Sequence, residues 1–155
     1  MKRRTALKLA AASLVAGSLA IGTAQAGDTV KIGAVAPKTG PLAGGSTVTH
    51  WPNIHLWVHE VNARGGLKLK DGRKKIELIE YDDQTNPGVH IKAAQRLATQ
   101  DKVDFIVAPY GTGFNLASAP IYAKHGYPQI AVSAISDKIP ELTKRYPGIF
   151  FTLGS

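Results

Sequence analysis

Not one of the 155 residues is a cysteine. That absence excludes disulfide frameworks, Cys-ligated zinc, iron–sulfur clusters, thiol nucleophiles and a lipid-modified N-terminal cysteine. Nothing resembles a Ser-His-Asp set, a Gly-x-Ser-x-Gly elbow or a P-loop. What is present, 44% apolar residues with 16 Gly and 9 Pro, describes one ordinary globular domain rather than a fibrous or disordered chain.

The formal charge of +8 invites a nucleic-acid reading until the N-terminus is considered. Met1-Lys2-Arg3-Arg4 is a charged start, Leu9 to Ile21 a small-residue apolar run, and Ala24-Gln25-Ala26 the small-x-small form of a signal-peptidase site. The apolar run is too short to span a bilayer, which takes roughly 20 residues of helix. Residues 1–26 therefore read as a secretory signal and residues 27–155 as the mature chain. The Arg3-Arg4 pair also suggests twin-arginine export, although Ala6 stands where an aromatic is usual. Removing Lys2, Arg3, Arg4 and Lys8 leaves 15 basic against 11 acidic residues, a net +4, too little for a nucleic-acid stripe.

After the signal, short apolar runs alternate with amphipathic ones, the pattern of an α/β protein with an open parallel sheet and helices on both faces. Strands are expected at Val30–Ala36, Lys75–Tyr81, Val103–Ala108, Gln129–Val132 and Ile149–Thr152. Ile54, Trp57, Val58 and Val61 mark one face of a first helix, stopped by Gly65-Gly66. Asn86 as N-cap and Pro87 as first residue open a second helix running to Gln100. A third is expected from Phe114 to Lys124, with Gly126 ending it. The segment Lys68–Lys74 reads as a polar turn, and its basic residues as solvated.

With the common strand order 2-1-3-4, three loops converge at the carboxyl ends of the strands, where such sheets bind ligands. Lys38–Ser46 offers mainly bare backbone. Tyr110-Gly111-Thr112-Gly113 enters a helix directly, so its N–H groups suit a carboxylate or phosphate, with Thr112 either adding a hydroxyl to the site or merely capping the helix. Ser133-Ala134-Ile135-Ser136-Asp137 can serve a zwitterion or simply cap a short helix. Gly111-x-Gly113 might begin a dinucleotide fingerprint, but Leu116 occupies the third glycine position. His55 and His59 have the i, i+4 spacing of metal ligands without a third partner, and all five histidines are better read as solvated or interhelical. Asp82-Asp83 reads as a capping and turn pair displaced toward the sheet edge. Tyr110 and Phe114 are expected to fill the core rather than line the cleft.

Together, Val30-Lys-Ile-Gly-Ala-Val35, Thr39-Gly-Pro-Leu-Ala43, Glu60-Val-Asn-Ala-Arg-Gly-Gly66, Tyr81-Asp-Asp83, Ala119-Pro-Ile-Tyr122 and Pro140-Glu-Leu-Thr143 make the chain similar to the substrate-binding proteins of branched-chain amino acid ABC transporters. The resemblance implies the first lobe of a type I periplasmic binding fold, a non-enzymatic role without a cofactor, a periplasmic location, an amino acid or similar small carboxylate as ligand, and a membrane permease as partner. It places ligand contacts at Thr112, Ser133 and Ser136, and the loops that carry these add Gly111, Gly113 and Ala134 as candidate contacts. It also implies two lobes and a longer polypeptide, so that residues 27–155 would be an incomplete N-terminal lobe. A sensory ligand-binding module on the same fold and an exported dinucleotide-dependent dehydrogenase are the alternatives.

Overall fold

Four strands of the computed structural model pair in the order β2-β3-β1-β4: β1 (Thr29–Ala36), β2 (Leu67–Leu69), β3 (Gly72–Asp82) and β4 (Phe105–Val107). The structure describes residues 29–154, so the export signal expected at residues 1–26 lies outside the described residues. β1 runs parallel to β3 from Thr29↔Lys75 to Ala36↔Asp82, and parallel to β4 from Ile32↔Phe105 to Ala34↔Val107.

β1 is buried from both sides, as its near-continuous apolar sequence requires. Val30, Ile32, Ala34 and Ala36 pack toward α2 (Trp51–Ala63), where they meet Trp51, Ile54 and Val61. Val35 points the other way, to Ala94 and Leu97 of α3 (Pro87–Thr99) and Tyr122 of α4 (Thr112–Lys124). Gly33 shares this second face. A Cβ there would come within 2.8 Å of the Leu97 side chain, so glycine lets α3 lie close against the sheet.

Several expectations need correction. The segment expected as a polar turn, Lys68–Lys74, instead forms the β2–β3 hairpin, paired antiparallel from Leu67↔Lys74 to Leu69↔Gly72. Pairing satisfies backbone groups whatever the charge of the side chains, and Lys68, Lys70, Arg73 and Lys75 stay exposed as expected. Trp57 does not join the buried face of α2. It is 41% exposed, whereas Trp51 is 4% exposed, because Trp51, Ile54, Val58 and Val61 form the stripe that meets the sheet.

The Lys38–Ser46 loop is shorter than expected, because Ala43–Thr49 is a helix, α1. Gly45 of α1 lies directly under the Tyr110 hydroxyl, leaving no room for a side chain. The sheet order also departs from a continuous 2-1-3-4 arrangement. β5 (Gln129–Ala131) pairs parallel with β6 (Ile149–Phe151) as a separate ladder, and α5 (Ile139–Arg145) connects the two. Pro109 follows β4 and Pro128 precedes β5, and neither can donate to a ladder between them. A cleft of about 350 Å³ lies there instead, lined by Phe105, Val107, Pro128, Ile130 and Val132 among others.

Candidate functional site

The loops after β1, β4 and β5 form the crest of the sheet, and each is built by hydrogen bonds that its own sequence supplies. Asp82, at the end of β3, fixes the first. Its carboxylate accepts from the Lys38 N–H (2.8 Å), the Thr39 N–H (3.2 Å), the Thr39 hydroxyl (2.7 Å) and the Gln84 N–H (2.8 Å). Burial alone would raise its pKa, but these donors outweigh burial and hold it below the ordinary carboxylate value. Asp83 accepts from the Thr85 N–H at 2.9 Å, so both aspartates perform the turn-building expected of them. Gly40, at φ +84°, sits so close to the Gln84 carbonyl that a Cβ would lie 2.5 Å from its oxygen.

In the second loop, Gly111 takes φ +95° and ψ 147°, a conformation closed to other residues, and turns the chain from β4 into α4. Thr112 is the first helical residue rather than a cap, and no side chain caps this helix. The capping alternative for Thr112 is therefore corrected. Its hydroxyl instead accepts the Ile135 N–H of the third loop at 3.1 Å, leaving its own proton free to donate. The first helical hydrogen bond runs from the Asn115 N–H to the Gly111 carbonyl. The N–H groups of Thr112, Gly113 and Phe114 thus have no acceptor within the helix and point out of its positive end.

Two fully buried polar residues hold this loop from below, and neither was read from the sequence. The Asn115 amide donates to the carbonyls of Pro109 (2.7 Å) and Gly111 (2.9 Å), while the Gln129 amide donates to the Asn115 carbonyl and to its Oδ1, both at 2.9 Å. The one available signal was their polarity amid apolar neighbours.

The third loop divides. Ser133 accepts the Gly111 N–H at 3.0 Å and donates to the Pro109 carbonyl at 3.2 Å, so its hydroxyl is spent on joining the two loops. Ala134 is fully buried beside it. Ser136 accepts the Lys138 N–H at 3.2 Å, and its carbonyl accepts the Ile139 N–H, a local turn that leads into α5. The structure therefore ties Gly111 and Thr112 to Ser133 and Ile135, with Gly113 exposed on the same turn, whereas Ser136 bonds within its own loop. Phe114 is in the core as expected; Tyr110 is half-buried against α1.

Beneath the crest lies a constellation that the sequence did not disclose. His90 Nδ1 donates to Asp83 Oδ2 at 2.9 Å and its Nε2 lies 2.9 Å from the Ser118 hydroxyl. The three residues follow one another in the order of a Ser-His-Asp set, but the Ser118 proton goes to the Phe114 carbonyl and not to His90. All three residues are wholly buried, and Ser118 donates to the Phe114 carbonyl at 2.5 Å. A nucleophile sealed from any substrate cannot attack one, so the geometry serves structure.

Among the described residues the buried His50 has no hydrogen-bond partner for Nε2, and the same holds for the Ser46 hydroxyl one turn earlier. Burial lowers the His50 pKa, against a weaker opposite pull from Asp83. His55 stays at the surface, bonded to Glu80 and stacked on Trp51. Among the described residues no group of three or more His, Asp or Glu gathers as metal ligands would.

Residues 29–155 match the family of proteins described as periplasmic binding protein. The chain belongs to that family. Among curated proteins it is 29% identical over 148 residues to the leucine-, isoleucine-, valine-, threonine-, and alanine-binding protein of Pseudomonas aeruginosa, covering 95% of this chain and 37% of that one. It is 28% identical over 131 residues to Leu/Ile/Val-binding protein homolog 7 of Brucella abortus, covering 83% and 31%. The chain thus spans about a third of the length of these relatives.

Among solved structures, the branched-chain amino acid transporter substrate binding protein of Streptococcus pneumoniae, in complex with isoleucine, superposes with a TM-score of 0.71 at 31% identity, over 82% of this chain and 34% of that one. A solute binding protein of an ABC transporter from Rhodopseudomonas palustris, in complex with 3,4-dihydroxybenzoic acid, gives 0.62 at 29% identity, over 83% and 32%. The architecture is that of the type I periplasmic binding proteins.

Proposed function

We propose that the crest formed by Gly111, Thr112, Gly113 and Ser133, with the buried Ala134 packed beneath it, grips the carboxylate of a small solute, an amino acid of the branched-chain type or a similar small acid, for delivery to a membrane ABC permease. The observation that carries this reading is the uncapped start of α4. It offers three outward N–H groups and a Thr112 hydroxyl proton, fixed by the neighbouring loop before any ligand arrives. With its hydroxyl spent, Ser133 would contribute through its backbone. Ser136 is the least supported contact, since its hydroxyl serves a local turn.

Relatives named for leucine, isoleucine and valine binding, and neighbours holding isoleucine or dihydroxybenzoate, support the ligand class. One crest leaves the far side of a bound solute in water. We assign the covering surface to a second lobe and residues 27–155 to the first, with residues 1–26 directing export to the periplasm. A dinucleotide role gains nothing from this turn, where Leu116 stands in place of the third glycine.

The test is an NMR titration of the chain with leucine, isoleucine, valine and 3,4-dihydroxybenzoate. Amide shifts concentrated at residues 111–114 and 133–134 are the expected outcome. Shifts confined to other surfaces, or none up to millimolar ligand, would reject the assignment.

A further inference from the structure

A line of polar contacts at hydrogen-bond distance runs from the loop after β1 to the first turn of α4. The Leu42 N–H donates to the Thr85 hydroxyl (3.1 Å), which donates to the Thr39 carbonyl (3.2 Å), and the Thr85 N–H donates to Asp83 (2.9 Å). Asp83 accepts from His90, His90 meets Ser118, and Ser118 donates to the Phe114 carbonyl. The His90 ring also packs against the Phe114 ring, with centroids 4.8 Å apart.

We propose that the Asp83–His90–Ser118 chain is a positioning relay that locks the loop after β1 to the start of α4, so that the two loops meet a ligand as one rigid jaw. Apolar residues at these three positions would fill the same space, but without direction. A buried hydrogen-bonded chain permits few arrangements, because shifting either end strands a polar group away from water. Thr85, at φ +58°, is held in its turn by the same carboxylate that receives His90.

This inference deepens the ligand-binding reading of the crest, yet it can be tested with no ligand. Amide hydrogen exchange on the full chain would be followed at Leu42, beside Thr85, and at Asn115, whose N–H closes the first turn of α4. Ser118→Ala should speed exchange at Leu42 by about tenfold, and Thr85→Ala should do the same at Asn115, the loss expected for one hydrogen bond. The double variant should show no more than the larger single effect. Effects restricted to the loop that carries the substitution, or effects that simply add, would overturn the relay. Should Ser118→Ala not fold, Thr85→Ala alone decides, since that side chain is only half-buried. A failed isoleucine titration of the unaltered chain, with exchange coupling intact, would count against the ligand reading and leave the relay standing.

Discussion

The Gly111 N–H donates to the Ser133 hydroxyl at 3.0 Å, which fastens the loop after β4 to the loop after β5 although these strands share no ladder. Ser133→Ala removes an acceptor for Gly111 and a donor for Pro109 together. A loss of about 1 kcal/mol in urea unfolding is expected, with Ser133→Thr recovering most of it because the hydroxyl returns. Equal stability of the alanine variant and the unaltered chain would mean that the clamp is incidental.

Two glycines two positions apart should behave in opposite ways. Gly111, at φ +95°, suffers from any side chain, and Gly111→Ala should cost about 1–3 kcal/mol. Gly113 is helical, with open space where a Cβ would stand, so Gly113→Ala should stabilise by about 0.5–1 kcal/mol. Thermal melts of both variants check the pair. A harmless Gly111→Ala would remove the argument that this glycine is what turns the chain into α4.

The pattern of strands and helices was legible because its signals are local. Continuous apolar residues marked β1, and Asn86-Pro87 marked the start of α3, where the Asn86 side chain indeed accepts the N–H groups of Gly88 and Val89. The misplaced elements lacked such signals. Gly44-Gly45 reads as a loop in isolation, yet α1 forms where Gly45 can slide under Tyr110. β2, Leu67-Lys68-Leu69, is too short for its alternation to stand out, and Gly72-Arg73-Lys74-Lys75 at the start of β3 shows none, but their backbones pair regardless. Asp83, His90 and Ser118 stand 7 and 28 residues apart on three separate stretches of chain, so only the packing of α3 against α4 brings them together. In the candidate site, Gly111 and Thr112 were legible as a strand-to-helix turn. Asn115 and Gln129, which shape that turn, were not.

Asn115 offers a sharper test of that support. Asn115→Ala removes two bonds to loop carbonyls and the Oδ1 acceptor of the Gln129 amide and opens a small void, a combined cost of about 2–4 kcal/mol. Asn115→Asp preserves the volume but turns a carboxylate oxygen toward the same two carbonyls. It should therefore destabilise at least as much as Asn115→Ala at pH 7, although it is the smaller change in shape. Urea midpoints in the reverse order would show that volume, rather than donated hydrogen bonds, holds the Pro109–Gly111 loop.

Acid should weaken the fold in two separable steps. The folded His50 has its pKa lowered by burial, so as pH falls through the ordinary value of about 6.5 the unfolded chain takes up the proton more readily. His50 thus contributes stability above that pH and loses it progressively below. Asp82 is also lowered, here because donated hydrogen bonds outweigh burial; its contribution is complete above about pH 4 and disappears as pH falls further, through the folded value. Urea midpoints measured from pH 8 to pH 2.5 should show both descents. His50→Gln should flatten the upper one and leave the lower, whereas Asp82→Asn should leave the upper and shrink the lower, to which Glu80, which burial would raise but Lys38 and His55 hold low, also contributes. An upper descent that survives His50→Gln would assign it to another histidine and would remove the burial of His50 as its cause.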